Sequence, residues 1–192
     1  MRSGAQVRIL RAADRAAAVW KNGGGVTREI AVFPEGAGMD DFVWRASLAE
    51  VAADGPFSAF PEIDRTLTLV EGAGMDLKVG GVRRLVNERF APQDFPGDEP
   101  TACRLLSGPV VNFNVMHRRG AAEVATAVVR GRLSRAVVSD ETLLVLALEG
   151  AATVRVGRGP TLTLAPYDAV LVMGDFLDYT DVSGHAALVC FR

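Results

Sequence analysis

Histidine is nearly missing from this chain: His117 and His185 are its two occurrences in 192 residues. They lie far apart with no local ligand spacing, which excludes a metal centre built from two or three histidines. Cysteine is as scarce, with Cys103 and Cys190 each in an apolar stretch, so two buried thiols are expected rather than a disulfide. No charge dominates: 21 basic residues face 23 acidic ones and the net charge is −2. A bulk electrostatic attraction to nucleic acid is therefore absent. No apolar run is longer than Leu143 to Leu148, far short of the ~18 residues of a membrane helix. The first twenty residues spread four arginines among alanines and lack the ~7 to 15 apolar residues of a signal peptide. A cytoplasmic protein whose partner is a small molecule, not a membrane or nucleic acid, is expected.

Long helical patterns are also scarce. Gly, Pro, Asp and Asn punctuate the chain at short intervals, and the runs between them are short and β-branched, as strands are. The predicted strands are 26–32, 43–48, 66–70, 77–79, 110–115, 143–148, 153–156, 161–164, 169–173 and 186–191. Residues 11–19 are alanine-rich and read as a short helix, and 46–53 is ambiguous between helix and strand.

What is present is an internal echo. Asp64, Thr66 and Leu67 precede Glu71-Gly72-Ala73 and then Leu77-Lys78-Val79-Gly80, while Asp140, Thr142 and Leu143 precede Glu149-Gly150-Ala151 and then Val154-Arg155-Val156-Gly157. A Pro-x-Asp turn follows in each half, Pro96-Gly97-Asp98 and Pro166-Tyr167-Asp168. Strand, Glu-Gly turn, strand, later turn and strand is the layout of a β-hairpin barrel half. It resembles a cupin half, repeated. The expected fold is all-β, a double cupin (bicupin, RmlC-like jelly roll) in one chain, with residues 1–105 as the first half and 106–192 as the second.

The resemblance to cupins implies a first motif G-x5-H-x-H-x3,4-E-x6-G that holds a metal. Counting back from Gly72 places Arg65 at the glutamate position and Ser58 with Phe60, or Ala59 with Pro61, at the histidine positions. No metal and no other cofactor is expected. An arginine where cupins hold an anionic ligand reverses the local charge and suits a carboxylate, which guanidinium grips with two parallel hydrogen bonds. The competing account is that Arg65 pairs with Asp64 or Glu62.

Three strings are more distinctive: Trp20-Lys21-Asn22-Gly23-Gly24-Gly25-Val26-Thr27-Arg28-Glu29-Ile30; the run from Asp41-Phe42-Val43-Trp44-Arg45-Ala46-Ser47 through Asp54-Gly55-Pro56-Phe57-Ser58-Ala59-Phe60-Pro61 to Asp64-Arg65-Thr66-Leu67; and Gly108-Pro109 with Phe113-Asn114-Val115-Met116 and Arg118-Arg119. On these the chain resembles the HutD/Ves family of bicupin proteins over most of its length. It departs from that pattern at Glu62, usually glycine, at Asn112, usually aspartate, and at His117, where a less basic residue is common. The resemblance implies a protein of histidine utilisation, or a stress-inducible relative. It would act as a regulator (governor) by binding a pathway metabolite such as N-formylglutamate or urocanate, with no established catalysis.

Residue by residue, Lys21 and Asn22 adjoin three glycines whose backbone amides can face an anion. A nucleotide loop is the rival, but the Gly-Lys-Ser/Thr ending is absent and a strand follows. A plain glycine-rich turn is the simplest account. Alternation groups Arg28 with Val26 and Ile30, an arginine on an apolar face directed into the barrel, and sets Arg45 and Ser47 opposite Trp44, Ala46 and Leu48 as polar walls. Phe57 and Phe60 read first as core, although a pocket needs apolar walls. Asn114 offers an amide, and Arg118 and Arg119 read as a solvated basic turn. The candidate ligand-binding set is Lys21, Asn22, Arg28, Arg45, Ser47, Ser58, Phe60, Arg65 and Asn114, with no catalytic residue assigned. The ligand class is a small acidic metabolite, with homodimerisation as the other partner expectation. Two alternatives stay open. One is a metal-independent cupin enzyme of isomerase or epimerase type, drawing on His117, Tyr167, Tyr179 or Glu29. The other is a protein-interaction module.

Overall fold

The computed structural model describes residues 5–174 and 178–192. The chain enters with β1 (Gln6–Leu10) and a 3-10 turn (Ala12–Asp14), the one helical element among the described residues. The stretch 11–19, expected to be helical, ends instead in strand β2 (Ala17–Val19), because hairpin pairing with the next strand overrides alanine's weak helix preference. Among the described residues no helix is long and apolar enough to cross a membrane.

Two compact units are present. One, Arg15–Ala122, contains β2, β3 (Gly25–Phe33), β4 (Trp44–Val51), β5 (Gly55–Pro56), β6 (Ile63–Glu71), β7 (Met75–Val79), β8 (Val82–Val86), β9 (Pro92–Pro96), β10 (Thr101–Leu105) and β11 (Val110–Arg118). These form a sheet ordered β2-β3-β4-β11-β6-β9 and a smaller sheet β5-β10-β7-β8. Both sheets feed one apolar cluster, with Val51, Leu67, Leu69, Phe95 and Val110 from the larger and Met75, Leu77, Val79, Val86 and Cys103 from the smaller. Each such side chain contributes ~1.5–3 kcal/mol by leaving water.

The other unit joins Met1–Asp14 to Glu123–Arg192 and holds β1, β12 (Val124–Val137), β13 (Thr142–Val156), β14 (Leu162–Leu164), β15 (Ala169–Met173) and β16 (Asp178–Phe191). Its sheet is ordered β1-β15-β13-β16-β12, with β14 on β13. Leu143, Val145, Val154, Leu164, Val172, Val182 and Leu188 fill its interior. Asp168 fixes the entering chain: its carboxylate accepts from Arg11 at 2.7 Å and from the Ala12 N–H at 2.8 Å.

The boundary expected at 105/106 moves. β11 lies between β4 and β6 and pairs with both, so its ladder hydrogen bonds belong to the Arg15–Ala122 unit, whereas β1 pairs with β15. The duplication itself is written in the backbone. Left-handed residues recur in the same order in both units: Glu62 and Asp140 (φ 61 and 64), Gly72 and Gly150 (94 and 70), Gly80 and Gly157 (54 and 54), Phe90 and Tyr167 (68 and 66). Phe90 donates to the Leu69 carbonyl and Tyr167 to that of Ala147, both at 2.8 Å. The Pro166-Tyr167-Asp168 turn therefore matches the turn at Phe90 and not Pro96-Gly97-Asp98.

Candidate functional site

The rungs of the larger sheet build the site. Ser47 on β4 faces Asn114 on β11, which faces Leu67 on β6; the next rung is Arg45, Met116 and Arg65, and the one on the other side is Ala49, Asn112 and Leu69. Side chains directly opposite across strands share a face, so arginines, amides and a serine gather on one surface. A cavity of about 490 Å³ opens over it. Eight of the nine candidate residues line this cavity: Lys21, Asn22, Arg45, Ser47, Ser58, Phe60, Arg65 and Asn114.

Arg65 is its focus. It is only 8% exposed, and its guanidinium carbon lies 5.4, 5.7 and 5.1 Å from the ring centres of Phe57, Phe60 and Phe95. Its Nη2 donates to Asn114 Oδ1 at 3.5 Å, a long bond, and its Nε has no hydrogen-bond partner. Burial lowers its pKa to about 10, so it remains a cation at neutral pH. The acids expected as its alternative partners are engaged elsewhere: Asp64 takes a bond from Arg119 at 2.9 Å, and Glu62 faces Arg118 at 3.8 Å. A buried cation held by aromatic faces, with no carboxylate of the described residues on it, is matched to an anion. Arg45 differs, because Glu29 at the rim neutralises it at 2.7 Å.

Trp20 closes one wall. Its indole N–H donates to Thr27 Oγ1 at 2.8 Å, and its ring meets Phe57 edge to face at 6.2 Å. Residues 20–25 form the β2–β3 turn, in which Gly23 N–H bonds the Trp20 carbonyl and Gly24 N–H bonds Asn22 Oδ1. Those two amides are thus consumed by the turn and do not form an anion nest. The third glycine has a steric reason: a Cβ on Gly25 would collide with the Glu50 carbonyl and the Trp20 ring.

Arg28 is the one candidate outside the cavity lining. Its side chain pairs with Glu50 at 2.8 Å, and it is the neighbouring Thr27 that lines the cavity. β4 is buried on both faces, by Trp44, Ala46 and Leu48 and by Ser47, Ala49 and Val51, so in this sheet an apolar neighbourhood does not identify the cavity side. Arg118 and Arg119 are also more than a solvated turn: Arg118 holds the Asp40 carbonyl at 2.9 Å and Arg119 clamps Asp64 and Asp98. Trp20, Thr27, Ala49, Phe57 and Met116 are among the nine cavity residues outside the candidate set. Met116 and Ala49 were accessible to alternation from Asn114 and Ser47, whereas Trp20 and Phe57 arrive through turns that no periodicity describes. Of the groups an enzyme would draw on, none lines the cavity: Glu29 meets it only through its ion pair with Arg45, and strand alternation turns His117 away.

The metal implied by the cupin fold does not fit here. The sheet surface presents Arg45, Ser47, Arg65 and Asn114, two cations where a dication needs anionic or imidazole donors.

Two β units sharing one backbone plan, one of them opening into a cavity, define a double-cupin architecture. The cupin 2 conserved barrel domain protein from Leptotrichia buccalis has this fold at a TM-score of 0.58 and 9% identity, with 87% of this chain and 88% of that one superposed. More particularly, the chain belongs to the HutD family, whose model matches residues 12–189. An uncharacterized 21.2 kDa protein from the hutC 3′ region of Pseudomonas putida is 33% identical over 191 residues, 96% of each chain. Protein Ves of Cronobacter sakazakii is 40% identical over 102 residues, 53% of this chain and 55% of that one. The structure of HutD from Pseudomonas fluorescens SBW25, described as a formate condition, superposes at a TM-score of 0.87 with 32% identity, covering 97% and 98%. By family name and by the gene neighbourhood of its relative, the chain is linked to histidine utilisation.

Proposed function

We propose that this protein binds a small acidic metabolite in the cavity above Arg65 and acts by that binding as a regulator in histidine utilisation. The supporting observation is the guanidinium of Arg65: buried among three aromatic rings, charged at neutral pH and unmatched by any carboxylate among the described residues. A carboxylate arriving there exchanges water for charge-assisted hydrogen bonds in a site of low polarity, where such bonds are strongest. Ser47, Asn114 and Thr27 supply neutral polar contacts, and Phe57, Phe60 and Trp20 the apolar walls. The Arg45–Glu29 pair at the rim offers a second cation to a diacid that displaces Glu29. N-formylglutamate and urocanate are two acids of that pathway that carry the required carboxylate.

A thermal-shift series with N-formylglutamate, urocanate, glutamate, histidine and formate, repeated on Arg65→Ala, tests this function. A ligand at about 100 times its dissociation constant adds roughly 2.7 kcal/mol, which is several degrees for a chain of this size. A shift with one acid that is lost in Arg65→Ala is expected. No shift with any of these acids removes the proposal.

A further inference from the structure

Two arginines reach the cavity from one rung of the larger sheet. Arg45 on β4 and Arg65 on β6 flank Met116 on β11, so their backbones stand two strand spacings apart, ~9.5 Å, and all three residues line the cavity. Their charges differ in availability. Arg65 meets aromatic rings and the Asn114 amide, whereas Arg45 donates its Nε–H to Glu29 at 2.7 Å. Glu29 comes from β3, where it pairs with Ser47, two residues along β4 from Arg45. That makes it a diagonal neighbour of Arg45, within reach of a long side chain. The fold thus offers the cavity one open cation and one that already holds a carboxylate of its own.

We infer that Glu29 is a positioning residue that sets how many carboxylates the cavity rewards, and that it limits the number to one. This inference rests on the binding function proposed above and adds to it a determinant of specificity. Glu29 touches no ligand; it acts through Arg45, which does line the cavity. The second carboxylate of a diacid can meet Arg45 in two ways. It can displace Glu29, which replaces one charge-assisted pair by another of the same kind and leaves little net gain. It can instead join Glu29 on the same guanidinium through the Nη groups, which sets two anions on one cation. Arg119 does carry two carboxylates, but its side chain is 41% exposed and water screens their repulsion. The Arg45 side chain is 13% exposed, where that repulsion is stronger. By either route a second carboxylate adds little, and discrimination comes from an opposing charge rather than from a further attractive contact.

Chemical-shift titration of 15N-labelled protein with pentanoate and with glutarate, the same five-carbon chain ending in one and in two carboxylates, tests the inference on wild type and Glu29→Gln. Glutamine keeps an acceptor for Arg45 and removes the charge. Losing a negative charge beside the cavity favours every anion, so the ratio of the two affinities is the readout, and a merely structural role for Glu29 would not move it. Wild type is expected to bind the two acids within about threefold of each other. Glu29→Gln is expected to prefer glutarate by about tenfold or more, the worth of one charge-assisted hydrogen bond. A wild type that already prefers glutarate tenfold overturns the inference, as does a ratio in Glu29→Gln equal to that of wild type; both leave the binding function standing. Wild type binding neither acid overturns the binding function itself and the role of Glu29 with it. If Glu29→Gln does not fold, the Arg45 Nε–H signal of wild type, assigned through its loss in Arg45→Lys, decides. It is expected to hold its position with glutarate as with pentanoate, because Glu29 keeps the bond, and a displacement by glutarate alone overturns the inference.

Discussion

Arg119 donates two parallel hydrogen bonds to the carboxylate of Asp98, both at 2.8 Å, through Nη1 and Nη2. Its Nε holds Asp64 at 2.9 Å, so one guanidinium ties the first turn of β6 to the loop after β9. That loop carries Gly97, whose N–H donates to the Ile63 carbonyl and whose carbonyl accepts from Phe60 N–H, both at 2.7 Å. A Cβ there would crowd the stem of Arg65. The clamp thus positions the strand end and the loop between which Arg65 emerges.

The clamp has a pH signature. The hydrogen bond from Arg119 holds the Asp98 carboxyl below its ordinary 3.8. A carboxyl more acidic folded than unfolded adds stability that is complete above the unfolded pKa and lost as pH falls through the folded one. The stability gap between wild type and Asp98→Asn, measured as urea midpoints, is expected to be flat from about pH 5 to pH 8 and to close below about pH 4. The gap is small, because the groups are exposed. A gap that stays constant down to pH 2 would show that the ion pair does not matter to folding.

Arg65 is predicted to weaken the protein that it equips. A pKa drawn down from 12.5 to about 10 by burial corresponds to a cost on the order of 3 kcal/mol at neutral pH. Removing a buried charge in favour of an apolar side chain recovers part of such a cost. Methionine keeps much of the length and makes favourable sulfur contacts with aromatic rings. Arg65→Met is expected to gain about 1–3 kcal/mol, a rise of several degrees in Tm, and to lose the thermal response to every acid. A fall in Tm would mean that the three ring contacts outweigh the desolvation.

The all-β fold and its duplication were legible because the punctuation in the sequence is the punctuation of the backbone. Glu71-Gly72 and Glu149-Gly150 mark left-handed turns, as do Gly80 and Gly157. The repeat carries non-glycine left-handed residues as well, and these left no compositional trace: Phe90 does not look like a turn residue, so its equivalence to Tyr167 was invisible and Pro96-Gly97-Asp98 was aligned in its place. Alternation puts Arg45, Ser47 and Asn114 on the cavity side because it survives on β4 and β11. Arg28 lies outside the cavity lining, because apolar companions mark an interior only when one face of a sheet is buried. Lys21 and Asn22 reach the cavity, but the glycines beside them serve the turn. Asn112 was noticed as a departure from the family pattern, and only the three-dimensional packing shows that its amide is unpaired among the described residues.

Glu62 is the departure with a stability consequence. It adopts φ 61, a left-handed conformation that costs a side-chain-bearing residue ~1–2 kcal/mol and that glycine adopts freely. Its side chain gives little back, being 80% exposed and 3.8 Å from Arg118, an ion pair of the kind that contributes ~0–1 kcal/mol. Glycine in turn loses more chain entropy on folding, ~0.5–1 kcal/mol. The balance favours Glu62→Gly by about 0.5 kcal/mol, a rise of roughly 1–2 °C. Phe90 provides the contrast. It is left-handed at φ 68 but only 8% exposed, so Phe90→Gly relieves the same conformation while giving up an aromatic ring whose removal costs ~3–5 kcal/mol. Opposite signs for the two substitutions in thermal melts are expected; a loss of stability in Glu62→Gly would show that the contact with Arg118 exceeds the cost of its backbone.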